Sequence, residues 1–201
     1  MRVELVPGLE PGSLFEPSTA TVWLELGFGG GEHLAALAKA NPTHGFIGAE
    51  PFLAGVAALL ARIETEGLAN IRIYPEDGRE LIEALSPGSL AGCYILFPDP
   101  WPKLRHHKRR LVSRETVDAL ARVVAIGGRL ALASDDTDYV EWMRELLAGH
   151  QAWHPLRARP EETGRRPEDW IASRYETKAL AKGVRPHYLL FERRDRLEIP
   201  K

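Results

Sequence analysis

Hydrophobic and polar positions along most of the chain follow two periodicities in alternation. Short apolar, β-prone runs predict strands at 22–26, 44–49, 71–74, 91–97 and 129–133, with a last strand at 187–194. Between them, apolar residues recur at helical spacing. This spacing predicts helices over 32–40, 52–66, 79–85 and 137–148, and one that starts after Ser113 and ends at Gly127 and Gly128.

Strands that are separated by helices pair in parallel through right-handed crossovers, so the alternation predicts an α/β, doubly wound sheet. The chain of 201 residues has the length of one domain, 1–201. Residues 151–186 interrupt the alternation and contain eight Lys and Arg against five Asp and Glu. We predict that 151–186 is a substrate-binding insertion before the last strand.

The composition is that of an ordinary globular protein, with 44% hydrophobic and 27% charged residues. Cys93 is the single cysteine, which excludes a disulfide framework and a cysteine-based zinc site. The sequence shows neither an apolar run of membrane-spanning length nor the apolar region of a signal peptide. We therefore expect a cytoplasmic protein without a membrane partner.

Each of the first five predicted strands ends close to a carboxylate: Glu25, Glu50, Asp77, Asp99 and Asp135. Ligands of open α/β sheets bind outside the carboxyl ends of the strands, so these acids predict a negatively charged ligand site. Asp77 and Asp135 have a second interpretation as caps of the following helices. An acidic site suits S-adenosylmethionine, which carries a sulfonium, an ammonium, a ribose diol and an amino group, and does not suit a polyphosphate.

A glycine loop, 27–31 (GFGGG), follows the first strand. Gly27 and Gly29 let the backbone approach a ligand closely, so we predict that they contact the cofactor. The loop departs from the dinucleotide pattern GxGxxG, because Glu32 occupies the third glycine position. Glu50 is predicted to bind the ribose diol, and Asp77 is predicted to lie near the adenine edge.

The fourth strand is followed by FPDPWPKLRHHKRR, residues 97–110. Three prolines stiffen the turn around Asp99 and Trp101, which offer a hydrogen-bond acceptor and a stacking face for a nucleobase. The alternative is a proline-rich loop whose tryptophan covers the core. His106 and His107 lack a third ligand nearby, so no metal is predicted.

The basic segment, 103–110, holds five Lys and Arg, whereas the rest of the chain has 21 Lys and Arg against 28 Asp and Glu. A solvated surface is one interpretation of such a run. Its position beside the nucleobase pocket favours phosphate binding instead. The phosphate candidates are Arg105, Lys108, Arg109 and Arg110, with Lys103 at the start of the segment.

Several motifs, LELGFGGGEHL, IGAEPF, EDGRE, FPDPWPKLRHHKRR, SDD and SRYETK, resemble the successive motifs of bacterial tRNA (guanine-N7-)-methyltransferases. The resemblance implies a class I methyltransferase fold, with a seven-stranded sheet and an antiparallel last strand. It also implies methylation of guanosine 46 in the tRNA variable loop. The implied S-adenosylmethionine contacts are Glu25, Glu50, Asp77 and Asp99, and the implied substrate contacts are Lys103, Asp135, Ser173, Arg174, Tyr175 and Glu176.

Guanine N7 carries a free lone pair and no proton, so its methylation requires no general base. Asp99 is therefore predicted to act in catalysis by orienting the base and by stabilising the positive charge that the purine acquires. We expect tRNA as the partner of a monomer or weak homodimer. A methyltransferase for an exocyclic amino group, a nicotinamide-dependent oxidoreductase and a non-catalytic RNA-binding domain remain as alternatives.

Overall fold

The structure is a computed structural model that describes residues 1–16, 19, 21–156, 164–167, 170–172, 174–181 and 183–195. Seven strands of this described part form one sheet: β1 (Val22–Leu26), β2 (Gly45–Ala49), β3 (Ile71–Tyr74), β4 (Leu90–Leu96), β5 (Val124–Ser134), β6 (Trp153–Pro155) and β7 (His187–Arg193). The helices are α1 (Glu32–Ala40), α2 (Leu53–Glu66), α3 (Gly78–Ala84), α4 (Arg114–Val123), α5 (Thr137–Ala148) and α6 (Arg174–Ala181). Two 3-10 helices span Pro11–Leu14 and Leu104–Arg109.

The sheet has the order β3-β2-β1-β4-β5-β7-β6. Strands β1 to β5 are parallel, whereas β7 is antiparallel to both β5 and β6. The predicted doubly wound sheet with an antiparallel last strand is confirmed. Because β1 lies between β2 and β4, the chain reverses its direction of winding there, and a crevice opens outside the carboxyl ends of these strands.

The central strands are buried on both faces, as expected of a parallel sheet that is covered by helices on each side. Leu24 and Leu26 of β1 point into one large apolar cluster, while Trp23 packs against a second cluster on the other face. Ser113 caps α4 as predicted, since its hydroxyl accepts a hydrogen bond from the Thr116 amide at 3.3 Å. Every helix in the described residues is too short or too polar to span a membrane.

The predicted end of the fourth helix at Gly127 and Gly128 is wrong. Helix α4 ends at Val123, and the two glycines belong to β5. A Cβ atom at Gly128 would lie 2.8 Å from the Ala91 carbonyl oxygen, so this glycine lets β5 approach its neighbour closely. Strand β6 is absent from the sequence prediction because its three residues are too few to show a periodicity.

Candidate active site

A cavity of about 320 Å³ lies outside the carboxyl ends of β1 to β4. We call it the rim cavity. Three of the five predicted strand-end acids line it, together with parts of the glycine loop and of the loop after β4. The lining residues are Leu26, Gly27, Gly29, Ala49, Glu50, Pro51, Phe52, Asp77, Gly78, Arg79, Leu96, Phe97, Pro98, Asp99, Trp101, Arg109 and Leu111.

The glycine loop depends on backbone angles that favour glycine. Gly27 and Gly29 have φ values of 71° and 56°, in the left-handed region. Helix α2 packs tightly against the loop, because a Cβ atom at Gly55 would lie only 2.2 Å from the Gly29 carbonyl oxygen. The loop therefore presents backbone to the rim cavity, and no side chain stands between that backbone and a ligand at these two positions.

Glu50 is held in place by backbone amides. Its Oε2 accepts a hydrogen bond from the Gly29 amide at 2.9 Å, and its Oε1 accepts one from the Phe52 amide at 3.0 Å. The residue is 5% exposed, yet it lines the rim cavity. Each carboxylate oxygen has a second lone pair, so Glu50 can still accept hydrogen bonds from two adjacent hydroxyl groups. These residues fit the ribose diol of an adenosine cofactor.

Replacing Glu50 with glutamine is expected to weaken S-adenosylmethionine binding about tenfold, because one charged acceptor is lost and the new amide group faces a backbone N–H. Isothermal titration calorimetry checks this. Glu64→Gln, an exposed change on α2, is the matched control and should leave the affinity unchanged. Equal affinities of the Glu50 variant and the unaltered protein would remove Glu50 from the cofactor site.

Asp77 lies at the N-terminus of α3 and also at the rim cavity. It caps α3, since its Oδ1 accepts a hydrogen bond from the Arg79 amide at 3.0 Å, and it lines the rim cavity. Hydrogen bonds from the Arg79 side chain lower the pKa of Asp77, so the carboxylate stays ionised. The EDGRE motif also contains Arg79. The pattern of acids at the strand ends gives no indication that this arginine lines the rim cavity.

Asp99 and Trp101, from the loop after β4, both line the rim cavity. The backbone on both sides of Asp99 is left-handed, with φ values of 52° at Phe97 and 46° at Trp101. The Arg109 guanidinium lies over the Trp101 indole, 4.9 Å from the ring centroid. Arg109 also lines the rim cavity, a position that the charge pattern alone does not indicate.

Glu25 and Asp135 are not among the residues that line the rim cavity. Glu25 is 2% exposed, and its Oε2 lies 2.8 Å from Nδ1 of His33 on α1. This buried pair ties the end of β1 to α1 across the glycine loop. Asp135 is exposed after β5, and Asp136 caps α5 by accepting a hydrogen bond from the Tyr139 amide at 2.8 Å.

The basic segment forms the 3-10 helix Leu104–Arg109, preceded by Lys103. Four of its cations are exposed: Lys103, Arg105, Lys108 and Arg109. Arg110, the remaining phosphate candidate, differs from these four cations, because its side chain is only 1% exposed. Its guanidinium donates to the Pro100 carbonyl oxygen at 2.9 Å and pairs with Asp138 at the surface.

The substrate motif of the sequence falls on α6 and the residue before it. Ser173 lies outside the described residues, and Arg174 and Tyr175 are in the first turn of α6. Glu176 is fully buried; its Oε2 accepts a hydrogen bond from Trp170 Nε1 at 3.1 Å, and its Oε1 pairs with Arg166 at 3.1 Å. Glu176 therefore anchors α6 to Trp170 and is not among the residues that line the rim cavity.

Trp153 and Trp170 are the two tryptophans of 151–186, and both are buried. The indole of Trp153 donates to the Val117 carbonyl oxygen at 3.3 Å. The Trp170 ring packs edge to face against Tyr188 at a centroid distance of 5.1 Å. Both rings are packing residues in this structure.

Residues 19–189 match a family model described as "Putative methyltransferase". Among solved structures, the 16S rRNA methyltransferase KamB superimposes with a TM-score of 0.66 at 17% identity, over 91% of this chain and 92% of that chain. A variant of the 16S rRNA (adenine(1408)-N(1))-methyltransferase from Catenulisporales acidiphilia, with its cosubstrate SAM, gives a TM-score of 0.63 at 17% identity, over 96% of this chain and 95% of that chain. The sheet order is that of the class I methyltransferase fold, and the family match identifies the chain as a methyltransferase.

Two relatives that are similar to this chain along most of its length indicate which methyltransferase family it belongs to. The tRNA (guanine-N(7)-)-methyltransferase of Rhodospirillum rubrum is 46% identical over 96% of this chain and 75% of its own length. The enzyme of the same name from Paramagnetospirillum magneticum is 48% identical over 94% of this chain and 79% of its own length. The chain belongs to the tRNA (guanine-N(7)-)-methyltransferase family.

Proposed function

We propose that this protein transfers a methyl group from S-adenosylmethionine to N7 of a guanosine in tRNA, and that the target is guanosine 46 of the variable loop. One observation carries the proposal. The rim cavity brings Glu50 and Asp77, which suit an adenosine, together with Asp99 and Trp101, which suit a nucleobase. The names of the relatives support the substrate, and the motif resemblance supports the position in the tRNA.

The cofactor side of the cavity is formed by the glycine loop, Glu50 and Asp77. Glu50 would bind the ribose diol and Asp77 the adenine amino group, while Gly27 and Gly29 leave room for the rest of the molecule. When bound, S-adenosylmethionine supplies an electrophilic methyl group on its sulfonium. Glu25 would act on the cofactor only indirectly, since its carboxylate is paired with His33 behind the glycine loop.

Asp99 would orient the guanine by accepting hydrogen bonds from N1–H and the amino group. These donors become stronger as the purine becomes cationic, so the carboxylate binds the transition state more tightly than the ground state. Trp101 would offer its ring to the base, and a base held in this way stays near the methyl group of the cofactor. The residues of the chain need to move no proton in this step.

Lys103, Asp135 and the stretch 173–176 complete the proposed substrate side. Lys103 and Asp135 are exposed and follow β4 and β5, where the edge of the sheet faces an approaching RNA. Glu176 would act by holding α6 in place. A tRNA substrate is compatible with a cytoplasmic enzyme that works as a monomer or weak homodimer, with 151–186 as its substrate-binding insertion.

The exposed cations of the basic segment are expected to set the salt dependence of tRNA binding. The slope of log affinity against log salt should decrease by about one for each phosphate contact removed, because fewer counterions are released. Filter binding of tRNA to Arg105→Ala and Lys108→Ala at several salt concentrations measures this slope. Lys39→Ala, an exposed change on α1, is the control. Unchanged slopes in both variants would place the phosphate contacts elsewhere.

The proposed reaction is tested by incubating the protein with S-adenosylmethionine and unmodified tRNA and identifying the methylated nucleoside by mass spectrometry. Accumulation of 7-methylguanosine, and its loss when position 46 is not a guanosine, is the expected result. A methylated amino group would favour the exocyclic-amino alternative. Cofactor binding without any methylated nucleoside would contradict the proposed substrate.

A further inference from the structure

Arg79 lines the rim cavity, although it belongs neither to the strand-end acids nor to the basic segment. It lies in the first turn of α3, two residues after Asp77. Its side chain is about half exposed, at 51%, so its position beside Asp77 is not forced by burial. An arginine is unexpected in a cavity that is proposed to bind a cationic cofactor, because the two positive charges repel each other.

The Arg79 guanidinium donates hydrogen bonds to both oxygen atoms of the Asp77 carboxylate. Arg79 Nε donates to Oδ1 at 3.0 Å and to Oδ2 at 3.1 Å, and Nη2 donates to Oδ2 at 2.6 Å. The Arg79 amide donates to Oδ1 at 3.0 Å as well. A planar fork on a planar carboxylate fixes the orientation of the carboxylate, which a lysine at this position would not do.

These hydrogen bonds restrict what else Asp77 can bind. A carboxylate offers about four acceptor positions, and Arg79 takes most of them. The hydrogen bonds from Arg79 also lower the pKa of Asp77, so that the group remains a pure acceptor. Asp77 can therefore accept a donor from the cavity in a restricted direction only, and an oxygen atom placed there is repelled.

We propose that Arg79 is a positioning residue for cofactor recognition: it fixes Asp77 so that the carboxylate accepts a hydrogen bond from the exocyclic amino group of adenine and rejects a purine with a carbonyl oxygen at that position. The inference rests on the proposed function, because it requires an adenosine-type cofactor in the rim cavity. It assigns Arg79 to the choice of the cofactor's base, beyond its contribution to the cap of α3.

The test compares two ligands by calorimetry: S-adenosylhomocysteine and the analogue in which hypoxanthine replaces adenine. The unaltered protein should prefer the adenine ligand by about tenfold or more, because Asp77 is a charged acceptor. In Arg79→Met the preference should fall about tenfold, and in Arg79→Lys it should also fall, since the charge remains but the fork is lost. Arg2→Ala, which removes an exposed ion pair with Glu76, the residue before Asp77 in sequence, should keep the full preference.

The ratio of the two affinities separates the possible results. A merely structural role of Arg79 would weaken both ligands equally in Arg79→Met and leave the ratio unchanged, which would overturn the proposal. A full preference in Arg79→Lys would overturn it too, because charge without orientation would then suffice; this variant decides if Arg79→Met fails to fold. Failure of the unaltered protein to bind either ligand would instead contradict the proposed function.

Discussion

Asp99→Asn is expected to lower kcat by about 100-fold or more, while the affinity for S-adenosylmethionine changes by less than about threefold. The variant keeps the size of the side chain but removes its charge and one of its acceptors. Asp99 lines the rim cavity from the loop after β4, whereas Glu50, which is held by backbone amides, is the acid proposed for the ribose diol. The substitution should therefore slow the step in which positive charge develops on the base.

Single-turnover methylation of tRNA, combined with calorimetric titration of the cofactor, measures the two quantities separately. Glu76→Gln provides the control, because this exposed acid is next to Asp77 in sequence but does not line the rim cavity. If kcat and cofactor affinity fell by the same factor in Asp99→Asn, Asp99 would be a cofactor ligand only, and the proposed stabilisation of the purine would be wrong.

Arg110→Ala is expected to reduce the free energy of unfolding by about 2–3 kcal/mol. The guanidinium lies 4.9 Å from the Tyr139 ring and 5.1 Å from the Trp142 ring, and it donates to the Pro100 carbonyl oxygen. Alanine would leave a cavity between these rings and an unpaired carbonyl group. Asp138 would lose little, because its side chain is 69% exposed and regains water.

Urea denaturation measures this loss, with Arg109→Ala as the matched control on the exposed neighbour. The control should change the free energy of unfolding by less than about 0.5 kcal/mol, as is usual for surface positions. The Arg110 variant should also keep the salt slope of tRNA binding. A stable Arg110→Ala protein with a reduced slope would restore Arg110 as a phosphate contact and contradict its structural role.

The sequence predicts the sheet well because strand and helix periodicities change at every element up to α5. It fails where packing overrides local preference: Gly127 and Gly128 have the signature of a helix end, yet close contact between β4 and β5 places them inside a strand. The short strand β6 has no periodicity to detect. It exists because β7 offers a free edge for Trp153–Pro155.

The candidate site likewise contains residues that the sequence predicts and residues whose positions depend on packing. Glu50, Asp77 and Asp99 are predictable, because the ends of parallel strands converge in any doubly wound sheet. Arg110 and Glu176 are not, since a run of charges does not show which side chain turns inward. Arg110 packs against the rings of Tyr139 and Trp142, which are distant in sequence, and Glu176 accepts a hydrogen bond from Trp170 in a segment without periodicity. Glu25 is intermediate. Its apolar surroundings indicate burial, but nothing in the pattern identifies His33 as its partner.

The backbone around Asp99 has a strained geometry, which fixes the loop and lowers the stability of the fold. Phe97 and Trp101 have left-handed φ angles, which cost a residue with a side chain about 1 kcal/mol or more. Glycine at either position would relieve this strain, but it would also remove an aromatic ring: Phe97 packs against the cluster that contains Trp170, and the Trp101 ring contacts the Arg109 guanidinium. The same change would free the loop that aims Asp99. Efforts to make this enzyme more stable should therefore leave these two positions unchanged, because the strained backbone and the two aromatic rings together fix the loop.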